Sequence, residues 1–107
     1  MNYTLLINSD DGMKVAEVDG QSVKYCSFGF VYKLNNMYKL VDKNTGLRIA
    51  SALTLKDLEH EYKKIKQTYL LYCKSDTYNI KVERFKKLID SYNYERNQQW
   101  NIHYKLN

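Results

Sequence analysis

Two stripes of apolar and aromatic residues occupy the second half of the chain. Within each stripe the spacing alternates between three and four residues, which returns every member to one face of an α-helix. The first stripe comprises Leu55, Leu58, Tyr62, Ile65, Tyr69 and Tyr72, and the second comprises Tyr78, Val82, Phe85, Ile89 and Tyr92. The pattern predicts two helices that bury these faces against a sheet or against a partner.

Polar residues mark the ends of both predicted helices. Thr54, with Asp57 three residues later, resembles a capping box, so we expect the first helix to begin there and to run to about Cys73. The cap-forming residues 74–77 break the rhythm, and the second stripe fades after Tyr92 or Tyr94. Because the break is short, we expect an antiparallel helical hairpin over residues 54–95.

The first half of the chain instead alternates apolar and polar residues with period two, which is typical of strands. Turn residues divide it into predicted strands at 3–8, 13–18, 23–34, 37–41 and 47–52. A change of apolar phase beside Gly29 predicts a β-bulge. Trp100, Ile102 and Tyr104 also alternate with polar residues, which predicts a terminal strand over 99–106.

These elements predict one α+β domain over residues 1–107, a length sufficient for a single core. We expect an antiparallel β-meander of about five strands in residues 1–53, the helical hairpin in 54–95 and the strand in 99–106. The stripes can pack within one chain or between two, so a monomer and a homodimer both remain open.

Charge and composition indicate the type of genome that encodes the chain and the cellular compartment that it occupies. The formal net charge is +5, and residues 54–107 carry eleven Lys or Arg against seven Asp or Glu, so the surplus lies mainly in the helical half. Eleven Tyr, no Pro and many Lys and Asn are typical of an AT-rich genome, such as that of a low-GC bacterium or its phage. With no basic, apolar leader and only two cysteines, we expect a reduced protein in the bacterial cytoplasm, with no membrane partner.

The residue types that carry catalysis and metal binding are sparse. Cys26, Cys73, His60 and His103 do not stand at a zinc spacing, and the 42–46 segment lacks the pattern of a calcium loop. No arrangement of nucleophile and base, and no phosphate-binding glycine loop, is present in the sequence. We therefore expect no cofactor, no metal and no enzymatic activity, although a site assembled in space stays possible.

Candidate partner-binding residues lie on the outward faces of the helices and in the terminal segment. Leu70, Leu71 and Tyr94 fall away from the predicted core, and exposed aromatic or apolar residues are frequent interface anchors. The alternatives are that the tail through Trp100 folds over them or that the first helix ends before Leu70. The full candidate set is Leu70, Leu71, Tyr94, Trp100, Tyr104, Lys63, Lys64, Arg84 and Lys87.

The four basic candidates, Lys63, Lys64, Arg84 and Lys87, are also compatible with helix faces that are exposed to solvent and balanced in charge. Glu59 precedes Lys63 by four residues and Glu83 precedes Lys87 by four, the orientation that favours an ion pair on a helix. Lys and Arg beside tyrosine rings are equally able to hold single-stranded nucleic acid. A small basic nucleic-acid-binding regulator is therefore the alternative function.

Residues 32–55, YKLNNMYKLVDKNTGLRIASALTL, resemble the unit of strand, Thr-Gly turn, strand and helix found in small phage and prophage accessory proteins. Among these proteins the resemblance favours the anti-defence inhibitors, including anti-CRISPR proteins of type II systems. It implies stoichiometric binding to a host protein, either a nuclease or a ribonucleoprotein effector. Since the chain is basic, mimicry of DNA by acidic residues is disfavoured.

Overall fold

The structure is a computed structural model that describes residues 1–10 and 12–106, with side chains described through residue 97. Its elements are β1 (Asn2–Ser9), β2 (Gly12–Asp19), β3 (Gln21–Val23), β4 (Cys26–Leu34), β5 (Met37–Asp42), β6 (Arg48–Ala52), α1 (Leu55–Tyr72) and α2 (Asp76–Leu106). The predicted α+β class is confirmed. The described strands form two antiparallel sheets, β1-β2 and β3-β4-β5-β6, so the prediction of a single five-stranded meander is wrong.

The chain passes from one sheet to the other at Gly20. A Cβ atom at this position would lie 2.8 Å from the Val31 carbonyl oxygen and 3.2 Å from the Tyr3 ring. Only glycine therefore lets the chain leave β2 and start β3 this close to β4. The amide of Gly20 donates to the Met1 carbonyl at 2.9 Å, which fixes the end of the β1-β2 hairpin at the same point.

The predicted strand over 23–34 is two strands joined by a tight turn at Lys24 and Tyr25. Val23 pairs with Cys26 across this turn, whereas Ser22 pairs with Phe30, so the register between β3 and β4 shifts and skips residues 27–29 of β4. This register shift lies beside Gly29 and agrees with the β-bulge predicted there. Asn35 and Asn36 have φ angles of 51° and 64°, the positive values of a type I′ hairpin turn. Asparagine tolerates positive φ, so this turn was predictable from the sequence.

The four-stranded sheet is covered on both faces. On one face, Val31 and Leu40 pack with Leu58 and Tyr62 of α1. On the other face, Phe30 and Val41 pack with the β1-β2 hairpin, where the Tyr3 and Phe30 rings stack with centroids 4.4 Å apart. In the register of β4 and β5, Phe30 pairs with Val41 and Val31 pairs with Leu40. Paired residues point to the same face of a sheet, so each pair belongs to one of the two cores.

The two helices pack on different parts of the molecule. The Thr54 hydroxyl accepts the Asp57 amide at 3.1 Å, which caps α1, and α1 then packs on β5 and β6. After a short turn, α2 lies against β2. The helices meet near the turn, where the Tyr72 and Tyr78 rings make an edge-to-face contact with centroids 5.4 Å apart.

The C-terminal strand predicted over 99–106 is wrong, because the backbone stays helical in α2 to Leu106. No Gly or Pro follows Gly46, so nothing in residues 92–106 stops a helix that has already begun. The few alternating residues cannot outweigh the backbone hydrogen bonds that α2 supplies locally. The side chains of Trp100 and Tyr104 lie outside the described residues.

Candidate binding site

A buried carboxylate joins both helices to the sheet. Asp42, the last residue of β5, is fully buried, and its Oδ2 accepts the Tyr69 hydroxyl at 2.6 Å and the Tyr78 hydroxyl at 2.8 Å. The Asn44 amide donates to Oδ1 at 2.8 Å. An anion in this position needs such donors, because a buried charge without hydrogen bonds is strongly destabilising. Tyr69 belongs to α1 and Tyr78 to α2, so one carboxylate positions both helices.

The turn after Asp42 is held on several sides. Its backbone closes on itself through Gly46 N to Asp42 O at 2.8 Å and Asp42 N to Leu47 O at 2.9 Å. Gly46 has φ +70°, and a Cβ there would lie 2.6 Å from the Phe85 ring, so the turn also contacts α2 closely. With its carboxylate engaged by two tyrosines, this segment functions as a structural turn, as its sequence predicts.

Tyr69 and Tyr78 donate their hydroxyl protons to Asp42, and both have raised pKa values. Burial raises the pKa of Tyr69 far above its ordinary value, and the hydrogen bond to Asp42 and the negative charge of Asp42 raise it further. Burial also raises the pKa of Tyr78, with the hydrogen bond to Asp42 adding to the effect while Asn44 opposes it. Both hydroxyls therefore stay protonated at neutral pH. Their role is to fix the helices in place.

The two cysteines are free thiols, Cys26 buried in the core and Cys73 partly buried at the end of α1. Burial raises the pKa of both Cys26 and Cys73, so neither is the thiolate that nucleophilic chemistry requires at neutral pH. Their position therefore favours packing over reactivity.

Beside Tyr69 a cleft of about 480 Å³ opens between α1, the start of α2 and the beginning of β6. Apolar surface comes from Leu47, Ile65, Tyr69 and Tyr72. The remaining lining residues are the cations Arg48, Lys64 and Lys81 and the polar residues Thr45 and Thr68. Its volume lies within the range of small-molecule sites in proteins.

The cations of the cleft have defined neighbours. The Lys81 ammonium lies 5.4 Å from the centroid of the Tyr72 ring, a cation–π distance. The Lys64 ammonium pairs with Glu61 at 3.1 Å on the exposed surface of α1. Among the described residues, no salt bridge involves Arg48 or Lys81.

The outward faces of the helices hold the other candidates. Leu71 is 69% exposed and Tyr94 is 65% exposed, while Leu70 is 39% exposed. Lys63 pairs with Glu59 at 3.0 Å, the arrangement favoured by the sequence. The structure thus separates Lys64, which lines the cleft, from Lys63, which does not.

The outer face of α2 carries one line of residues that the sequence reasoning only partly recognised. We define this outer face as Ile80, Arg84, Lys87 and Tyr94. All four are exposed, and Ile80 is 69% exposed. Glu83 pairs with Lys86 at 3.4 Å, so the expected pair between Glu83 and Lys87 does not form. The spacings of four, three and seven residues were visible in the sequence, but Ile80 was not included.

The described part of the chain contains neither a cluster of metal ligands nor a membrane-spanning helix. There, no three His, Cys, Asp or Glu side chains lie close enough together to hold a metal ion. None of the described helices has the length and apolar character needed to cross a bilayer.

Comparisons of the chain with protein-family models, with curated proteins and with solved structures return no match. The cleft beside Tyr69 and the outer face of α2 are the two candidate binding surfaces.

Proposed function

We propose that the protein is a small non-enzymatic inhibitor that binds a bacterial defence nuclease or effector through the outer face of α2. The observation that carries the proposal is the alignment of exposed apolar and basic side chains on that face. A phage origin and an anti-CRISPR-like role follow from the resemblance of residues 32–55 and belong to the same proposal.

The geometry of α2 supports a single continuous contact surface. At 100° per residue, the four residues of the outer face fall within about 80° of one another around the helix axis. From Ile80 to Tyr94 they extend about 21 Å along it. Tyr and Arg are enriched among the residues that dominate binding energy at protein interfaces. One exposed helix face of this length is enough to lie in a groove of a partner.

The charge of the outer face favours an acidic protein surface. Among the described residues no salt bridge involves Arg84 or Lys87, so both cations remain available to a partner. Lys86, two residues from Arg84, is instead paired with Glu83 and points to a different side of the helix. Complementary charge would speed association and select the partner, while Ile80 and Tyr94 would supply apolar contact area.

The proposal is tested in bacteria that carry a panel of defence systems, including type II CRISPR systems. The protein is expressed, and the plating efficiency of a targeted phage is measured. We expect plating to recover with one system, and Arg84→Glu combined with Lys87→Glu to abolish the recovery. Lys86→Glu is the matched control, because it reverses a charge on the same helix away from the outer face, and it should retain inhibition.

Two results would overturn the proposal. One is equal loss of inhibition in the Lys86→Glu control, which would show that net charge and not the outer face matters. The other is tight binding of purified nucleic acid in place of a protein, with log affinity falling by roughly 0.9 per phosphate contact for each unit of log salt on duplex DNA.

A further inference from the structure

We propose that the cleft beside Tyr69 and Tyr72 binds a small organic anion with a flat apolar body. This site is separate from the outer face of α2, and its proposal does not depend on the inhibitory function. It rests on the unfilled apolar floor of the cleft, on the cations that surround it, and on the rigidity of its wall.

The floor of the cleft contains apolar surface that the fold leaves uncovered. Ile65 lies in the inward stripe of α1, between the buried Tyr62 and the half-buried Tyr69, yet it is 39% exposed. It lines the cleft together with Leu47 and Tyr72. Leu58 and Tyr62 of the same stripe are buried against the sheet, and an apolar ligand body would bury Ile65 in the same way.

The charges around the floor select an anion. Arg48, Lys64 and Lys81 line the cleft and come from β6, α1 and α2, so three elements contribute a cationic residue to it. None of the described residues that line the cleft is acidic. Glu61 pairs with Lys64, and the Asp42 carboxylate accepts the hydroxyls of Tyr69 and Tyr78. Arg48 adds a planar guanidinium that can bind a carboxylate with two hydrogen bonds.

The aromatic wall is fixed before a ligand arrives. The Tyr69 hydroxyl is bound to Asp42, its ring stacks on Phe28 at 6.0 Å between centroids, and Tyr72 contacts it edge-on at 5.6 Å. Since its hydroxyl is occupied, Tyr69 offers ring carbons to the cleft. A preorganised apolar wall lowers the entropic cost of binding and favours a flat ligand body.

The test is a titration of the ¹⁵N-labelled protein followed by amide chemical shifts. The probes are 2-naphthoate, the uncharged 2-naphthylmethanol and inorganic phosphate. We expect 2-naphthoate to shift amides in residues 45–48 and 64–72 in a saturable manner. The alcohol should bind about tenfold more weakly, because it lacks the charge that the cations recognise. Phosphate lacks an apolar body and should give no saturable shift in these residues.

Variants separate the cleft from general electrostatics. Lys64→Gln and Lys81→Gln should each weaken 2-naphthoate binding several-fold, and Thr68→Trp should block it by filling the cleft. Lys63→Gln is the matched control. Its side chain is 60% exposed against 57% for Lys64, and each lysine pairs with a glutamate on α1, but only Lys64 lines the cleft.

Three outcomes would overturn the proposal. Equal affinity for 2-naphthoate and for the alcohol would remove the role of the cations. Saturable phosphate binding at the same residues would remove the role of the apolar floor. An effect of Lys63→Gln as large as that of Lys64→Gln would show that the cleft itself is not the site. The dispersion of amide signals reports in each case that the variant is folded.

Discussion

The Tyr78 hydroxyl on α2 donates a 2.8 Å hydrogen bond to the buried carboxylate of Asp42, which lies 36 residues earlier at the end of β5. Tyr69 makes the equivalent contact from α1, so the placement of both helices depends on one acidic side chain. The cleft and the outer face of α2 both lie on helices that contact this carboxylate.

Removing the carboxylate should destabilise the protein strongly. Asp42→Ala leaves two buried tyrosine hydroxyls and the Asn44 amide without their acceptor, and we expect a loss of about 3 to 5 kcal/mol in the free energy of unfolding. Tyr78→Phe removes the hydrogen bond to the Asp42 carboxylate and the longer one from the Asn44 side chain, and it should cost about 1.5 to 3 kcal/mol. Urea denaturation followed by circular dichroism measures both.

The control for this prediction is Tyr92→Phe. The Tyr92 hydroxyl also donates to a carboxylate, that of Glu17 at 3.0 Å, but this contact is exposed to solvent. We expect its loss to change the free energy of unfolding by less than about 1 kcal/mol. An equal cost for Tyr78→Phe and Tyr92→Phe would contradict the structural role assigned to Asp42.

The pKa shifts of the tyrosines predict loss of stability at alkaline pH. Burial raises the pKa of Tyr69 and Tyr78 in the folded state, so each contributes stability that is fully present below the unfolded pKa of about 10. Above that pH the unfolded chain releases protons that the folded protein retains. The free energy of unfolding should then fall by about 1.4 kcal/mol per pH unit for each such tyrosine.

Denaturation midpoints measured from pH 8 to pH 11 test this slope. The double variant Tyr69→Phe with Tyr78→Phe should be less stable at pH 8 and should show a shallower decline above pH 10. The prediction fails if the wild-type and double-variant curves stay parallel over that range.

The two glycines with positive φ should respond differently to alanine. Gly46→Ala places a Cβ 2.6 Å from the Phe85 ring in addition to the backbone strain at φ +70°, and we expect a cost of about 2 to 4 kcal/mol. Gly12, at φ +105°, has nothing within 4 Å of the added Cβ, so Gly12→Ala should cost only about 1 kcal/mol. Thermal unfolding of the two variants gives the comparison, and a larger loss for Gly12→Ala would count against the described packing of α2 on the turn.

The thiols should differ in their reaction with a disulfide reagent. Cys26 is 3% exposed and Cys73 is only partly buried, and burial raises the pKa of both. With the native protein at pH 7.5 we expect slow labelling of Cys73 and none of Cys26 until urea is added. Mass spectrometry of labelled peptides identifies the site, and rapid labelling of Cys26 in the native state would contradict its burial.

Features encoded locally were predictable from the sequence. Thr54 and Asp57 located the start of α1, and the Asn35-Asn36 dipeptide located a hairpin turn whose φ angles suit asparagine. Of the stripe residues, Leu58, Tyr62, Tyr78 and Phe85 are buried as predicted, whereas Leu55 and Ile65 are exposed.

Features that depend on distant contacts were not predictable. Lys24 and Tyr25 carry no turn signal, and their hairpin forms because Val23 and Cys26 pair within the sheet. Tyrosines 27 and 36 residues from Asp42 reach the same oxygen, and the cleft combines side chains of three elements. The alternation near Trp100 was interpreted as a strand because local pattern alone does not reveal that α2 continues.

An alanine scan of the outer face of α2 against the purified target, once phage plating has identified that target, tests whether this face makes the inhibitory contact. We predict a 1:1 complex in which Ile80→Ala and Tyr94→Ala each weaken binding by at least about tenfold, equivalent to about 1.4 kcal/mol. Lys86→Ala should stay within about twofold of wild type. Unchanged affinity in Ile80→Ala and Tyr94→Ala, with the variants still folded, would contradict the account.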